Sequence, residues 1–120
     1  MNKLIKRYFQ IFTVTMFAVA LVSCGNKVAI EPGYQAVFLD SGAVFFGNLE
    51  GLGTPYPVLK NVFYVQSVTN SETKLTSNIL VKRGKEWHGP DKMTINAQHV
   101  IFVEPVTKGS TVASLIEQAK

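Results

Sequence analysis

Residues 8–22 make the only long apolar run in the chain, interrupted by Gln10, Thr13 and Thr15, with the basic residues Lys3, Lys6 and Arg7 just ahead of it. Its 15 residues fall short of the ~20 that a helix needs to span a bilayer. A basic start, an apolar centre and small residues behind it have the layout of a secretory signal peptide, expected to be helical and to be removed. Cutting after residue 23 of 120 leaves 97, enough for one small domain and too few for two. The cut also takes three of the 12 basic residues and none of the eight acidic ones, leaving nine against eight. A domain built to bind nucleic acid carries a clearer basic excess. The chain has a single cysteine, so no internal disulfide forms and packing must carry the fold.

That cysteine ends the stretch Leu21-Val22-Ser23-Cys24. An aliphatic residue, a β-branched one, a small one and then Cys, placed at the end of an apolar run, resembles the lipobox of bacterial lipoproteins. The resemblance implies cleavage between Ser23 and Cys24, a diacylglycerol on the Cys24 sulfur, and a fatty acyl chain such as palmitate on its new amine. One chain binds a membrane only marginally, whereas two or three hold stably. It also implies a place in the bacterial cell envelope. Gly25, rather than Asp, follows the cysteine, which in such proteins points to the outer membrane where there is one. The plain alternative is an uncleaved N-terminal anchor that happens to end in a cysteine. Three segments result: a signal peptide over 1–23, a lipidated N-terminus and tether over 24–33 with a turn at Glu31-Pro32-Gly33, and a domain over 34–120.

Within the domain, residues 35–40 and 43–50 alternate as two strands around the turn Ser41-Gly42, a hairpin pattern. Val37 and Leu39 share one face of the first strand, and Ala36 and Phe38 the other. Gly47 sits inside the second strand, where a glycine marks a bulge or a sharp bend. After a Gly- and Pro-containing loop, residues 56–66 read as the longest strand, with Leu59, Asn61, Phe63 and Val65 on one face and Val58, Lys60, Val62 and Tyr64 on the other. Residues 75–82 read as a fourth strand. Residues 93–104 read as a fifth, with an interruption near Ala97-Gln98. Ser110 is a good N-cap, and Val112, Leu115, Ile116 and Ala119 form the stripe of a short helix. So short a helix is marginal alone in water, so it should dock on the domain or a partner.

The run Val37-Phe38-Leu39-Asp40-Ser41-Gly42-Ala43-Val44-Phe45-Phe46-Gly47-Asn48-Leu49 resembles the first motif of Sm-like and other SH3-like small barrels, and residues 95–104 resemble their closing strands. The resemblance implies a mainly β fold: a small five-stranded barrel, or a rolled antiparallel sheet, with a short C-terminal helix. The N-terminal helix and RNA-binding loop of Sm proteins have no counterpart here, so nucleic-acid binding is not expected. The domain is also similar to small bacterial proteins in which Lys-x-Gly-x-Glu-x-His-Gly-Pro precedes Met-x-Ile-Asn and Val-x-Phe. Here these are residues 82–90, 93–96 and 100–102. That resemblance implies nothing about activity.

No catalytic constellation stands out. Glu86, His88 and Asp91 have no metal-ligand spacing and read as solvated loop residues. His99 reads as a histidine at the rim of the core, and Ser41 and Ser110 lack a nucleophile-elbow context. No cofactor or metal is expected. The best contact surface is the loop 83–91, where Arg83, Lys85, Trp87 and His88 lie among glycines. Trp and Arg are enriched at binding hot spots, although Trp87 could instead fold back to cover the end of a barrel. Five aromatic residues, Phe38, Phe45, Phe46, Phe63 and Tyr64, are too many for one face. A core on both sides of the sheet, the helix covering the second, accounts for them best. The expected function is that of a lipid-anchored, non-enzymatic interaction module, held to the membrane by its lipid and contacting a protein partner in the envelope. The alternatives are a carrier of a small apolar ligand inside the barrel and, behind it, an Sm-like nucleic-acid binder.

Overall fold

A computed structural model describes Lys3 and residues 28–120. The signal peptide apart from Lys3, the cleavage pair Ser23 and Cys24, and the first tether residues lie outside the described residues. Over residues 28–120, six strands and one helix follow one another: β1 (Gln35–Leu39), β2 (Val44–Glu50), β3 (Val58–Thr69), β4 (Thr76–Lys82), β5 (Lys92–Thr94), β6 (Val100–Pro105) and α1 (Thr111–Gln118). All pairings are antiparallel, in the order β4-β3-β2-β1-β6, with β5 added to the first part of β3. Among the described residues no helix is long and apolar enough to cross a membrane.

The mainly β fold and the short C-terminal helix agree with the expectation, but the five-stranded barrel does not. The sheet is open and has six strands. The expected fifth strand divides at Asn96, whose side-chain oxygen accepts the Gln98 N–H and starts a 3-10 turn over Ala97–His99. The turn redirects the chain, so β5 pairs with β3 while β6 crosses to pair with β1. The ladder therefore curls without closing.

The sheet is apolar on both faces. Val37, Leu49, Leu59, Val62 and Ile95 form one buried cluster, with Met93, Val100 and Val103 against it. Met93 of β5, which pairs with β3, meets Val100 and Val103 of β6 there, which is the curl expressed as packing. Ala36, Phe46, Phe63 and Ile116 form a second cluster on the opposite face. Ile116 brings α1 onto that face and is almost fully buried, while Val112 is half-buried and Leu115 lies exposed. The Ser110 hydroxyl caps α1 by accepting the Ala113 N–H at 3.2 Å. Four of the five aromatic residues are thus divided between two cores, Phe45 against the first and Phe38, Phe46 and Phe63 on the second, while Tyr64 is half-buried beside Phe45.

A bulge makes this division work. Phe46 pairs with Phe63 and Asn48 with Lys60, so Gly47 alone faces both Asn61 and Val62. Asn61 takes up the extra residue with a φ of 51°, a left-handed conformation that Asn tolerates better than most residues. The extra residue reverses the alternation. Leu59 and Val62 both point into the first cluster and Phe63 into the second. The expected sharing of one face by Leu59 and Phe63 is therefore incorrect, because strict period-two alternation stops at Asn61. The end of the tether is not a free spacer either: Val28 N–H donates to the Leu52 carbonyl at 3.3 Å, and Ile30 packs on the first cluster.

Candidate functional site

The loop from Arg83 to Asp91 leaves β4 and enters β5, both of which pair with β3. Its base is tied down where the Arg83 N–H donates to the Val62 carbonyl at 2.8 Å. The Arg83 guanidinium turns inward. Its Nε donates to Glu86 Oε1 at 2.8 Å and its Nη1 to Met93 Sδ at 3.1 Å, and its carbon lies 6.0 Å from the centre of the Phe45 ring. Arg83 is thus a half-buried anchor of the loop and not the freely exposed contact that the sequence suggests.

Glu86 is the partner that the sequence reading passes over as a solvated side chain. Its second oxygen accepts the Gly84 N–H at 2.7 Å, and its own carbonyl accepts the Gly89 N–H at 2.8 Å. The Gly84 backbone bond foremost, and then the Arg83 guanidinium, hold its carboxyl at about 2, against an ordinary 4.5. Hydrogen bonds to the charged form favour that form. The signal in the sequence is the opposite-charge pair three residues apart across a glycine, whose φ of 122° at Gly84 bends the chain back so that one carboxylate reaches both partners.

With Arg83 and Glu86 engaged with each other, the tip of the loop turns outward. Trp87 is fully exposed, at 107 % of its reference area, and Lys85 and His88 beside it are exposed as well. Trp87 covers no part of the core. Beneath the loop lies a shallow depression of about 310 Å³, bordered by Asn61, Lys82, Gly84, Pro90, Lys92 and Met93. Lys82 and Lys92 are exposed at its rim. Lys85, Trp87 and His88 therefore share one tip, while Arg83 sits at its root.

His99 is exposed and sits elsewhere. Its Nδ1 lies 2.8 Å from Asp40 Oδ2, and the Asp40 N–H donates to the His99 carbonyl at 2.9 Å. The pair fastens the β1–β2 turn to the 3-10 turn. Ser110 caps the helix, and Ser41 belongs to the β1–β2 turn. Among the described residues no group of three or more His, Cys, Asp or Glu stands close enough to hold a metal ion. No protein-family model and no curated protein matches the chain.

Proposed function

We propose that this chain is a lipid-anchored protein of the bacterial envelope, with an outer-membrane location where one exists, acting as a non-enzymatic interaction module. The anchor half of the reading rests on Leu21-Val22-Ser23-Cys24 at the end of the apolar run. The observation that carries the interaction half is Trp87, fully exposed at the tip of a loop whose root is fastened by Arg83 and Glu86. A large apolar ring left in water on a rigid support is what an interface uses as an anchor. The polar groups nearest to resembling a reaction centre have structural work: Glu86 shapes its loop, and Asp40 with His99 joins two turns. The carrier alternative has less support, because side chains such as Val37 and Leu59, both 0 % exposed, occupy the interior where a ligand would sit.

Growing cells with a labelled fatty acid tests the anchor. Wild-type protein should take up label and fractionate with membranes, and Cys24→Ala should not. Equal label in the two would refute the lipid anchor. For the loop, Trp87→Ala should leave the melting midpoint nearly unchanged and abolish cross-links from a photoreactive group at Lys85. Unchanged cross-linking would refute the contact role.

A further inference from the structure

We infer that the surface which the Trp87 loop contacts is the phospholipid bilayer itself, with the indole seated among headgroups and the loop lysines facing anionic lipid. The inference rests on the membrane-anchored reading above. Trp is the side chain best suited to that depth, with an apolar body and one polar N–H that stays wet. Trp87 is the chain's sole tryptophan and is fully exposed. Around it, the exposed cations Lys82, Lys85 and Lys92 outnumber the one exposed acid of the loop, Asp91, because Glu86 is neutralised by Arg83. Juxtaposed basic residues are attracted to anionic lipid, and that attraction fades within a Debye length. The loop must therefore be held close to the surface to use it.

The tether provides that closeness. Asn48 Nδ2 donates to the Gly33 carbonyl at 3.1 Å, and Asn61 Nδ2 donates to Asn48 Oδ1 at 2.9 Å. Asn61 in turn borders the depression under the loop, together with Lys82 and Lys92. The end of the tether and the root of the loop thus lie on one side of the domain. Residues 28–33 are themselves docked on the domain, Val28 at Leu52 and Ile30 on the first cluster, and Val28 is four residues beyond Cys24, a span of at most ~14 Å when fully extended. A lipid on Cys24 keeps the docked segment, and the small domain with it, within that reach of the bilayer, where the exposed Trp87 can meet it.

The test uses the full chain purified from bacterial membranes and reconstituted into vesicles of phosphatidylethanolamine and phosphatidylglycerol, with phosphatidylcholine vesicles for comparison. The acyl chains carry bromine, which quenches nearby tryptophan. Trp87 emission should fall at least twofold on the anionic vesicles and clearly less on phosphatidylcholine, and Lys85→Glu combined with Lys92→Glu should largely remove the difference. Flotation of the same vesicles reads the anchor independently. Protein that floats but shows no quenching overturns the inference and leaves the anchor standing, and protein that does not float overturns both. Equal quenching on the two lipids overturns it as well, since anionic headgroups would then play no part. A Trp87 shielded from aqueous quenchers in native membranes but not on lipid-only vesicles assigns the loop to a protein, which again overturns it.

Discussion

Gly47 and Lys60 approach so closely that a Cβ on the glycine would lie 2.6 Å from the lysine's carbonyl oxygen and 2.7 Å from the Leu59 side chain. Neither neighbour can retreat: the first is backbone in the middle of the sheet, and Leu59 is fully buried. Gly47→Val should therefore destabilise the domain by about 3 kcal/mol, towards the upper end of overpacking costs. Thermal melts followed by circular dichroism check this, and an unchanged midpoint would show that the bulge is not fixed by this contact.

Asn61 faces the same bulge from the other strand. A β-branched side chain at a φ of 51° is strongly disfavoured, and the Asn61–Asn48 hydrogen bond at 2.9 Å would be lost with it. Asn61→Val should cost about 2 kcal/mol. Asn61→Gly loses the same bond but relieves the backbone, so it should cost less than about 1 kcal/mol. Urea denaturation of the pair gives the comparison, and equal losses would remove backbone conformation as the cause.

The Glu86 carboxylate is held near 2 in the fold. A depressed folded value contributes stability that is complete above the ordinary 4.5 and is lost as pH falls through about 2. Between those limits the loop should loosen while the rest of the sheet holds. Carbon-detected titration of the Glu86 carboxyl should give a midpoint near 2, and Glu86→Gln should abolish the acid-dependent exchange of the Gly84 amide in this window. A midpoint at the ordinary value would mean that the bonds to Arg83 and Gly84 do not persist in solution.

Ile116 is 1 % exposed, and it places α1 on Ala36, Phe46 and Phe63. Ile116→Ala should cost about 3 kcal/mol, as for other large-to-small changes in a core, whereas Leu115→Ala, at a position 38 % exposed, should cost under about 1 kcal/mol. Chemical denaturation of the two variants separates a docked helix from a frayed tail.

How far the sequence carries depends on the range of the interaction concerned. The first hairpin was legible because alternation and the Ser41-Gly42 turn are local: Val37 and Leu39 face one cluster, Ala36 and Phe38 the other. The Ser110 cap and the burial of Ile116 were legible for the same reason. The reversal at Asn61 was not, because it depends on Gly47 standing opposite, 14 residues away. The division of the last strand followed a local cue, Asn96, but the crossing of β6 to β1 is a long-range pairing that no short pattern encodes. At the loop, residue types left open whether Trp87 is a contact or folds back to cover the end of a barrel, and it is fully exposed. They misplaced Arg83, since the direction a guanidinium takes is decided by Glu86, Met93 and Phe45 together.

The bulge has a consequence for cooperativity. Within five consecutive positions, β3 supplies Leu59 and Val62 to one core and Phe63 to the other. β1 and β2 are shared in the same way, with Val37 and Leu49 in one core and Ala36 and Phe46 in the other. A domain of 87 residues, 34–120, with two separate apolar layers would ordinarily invite stepwise melting, one layer surviving the other. Here the segment that must detach to open the inner layer is the same one that seats the helix outside. Loss of either layer withdraws the template of the other, so the domain should unfold as one unit, without a stable half-structured form.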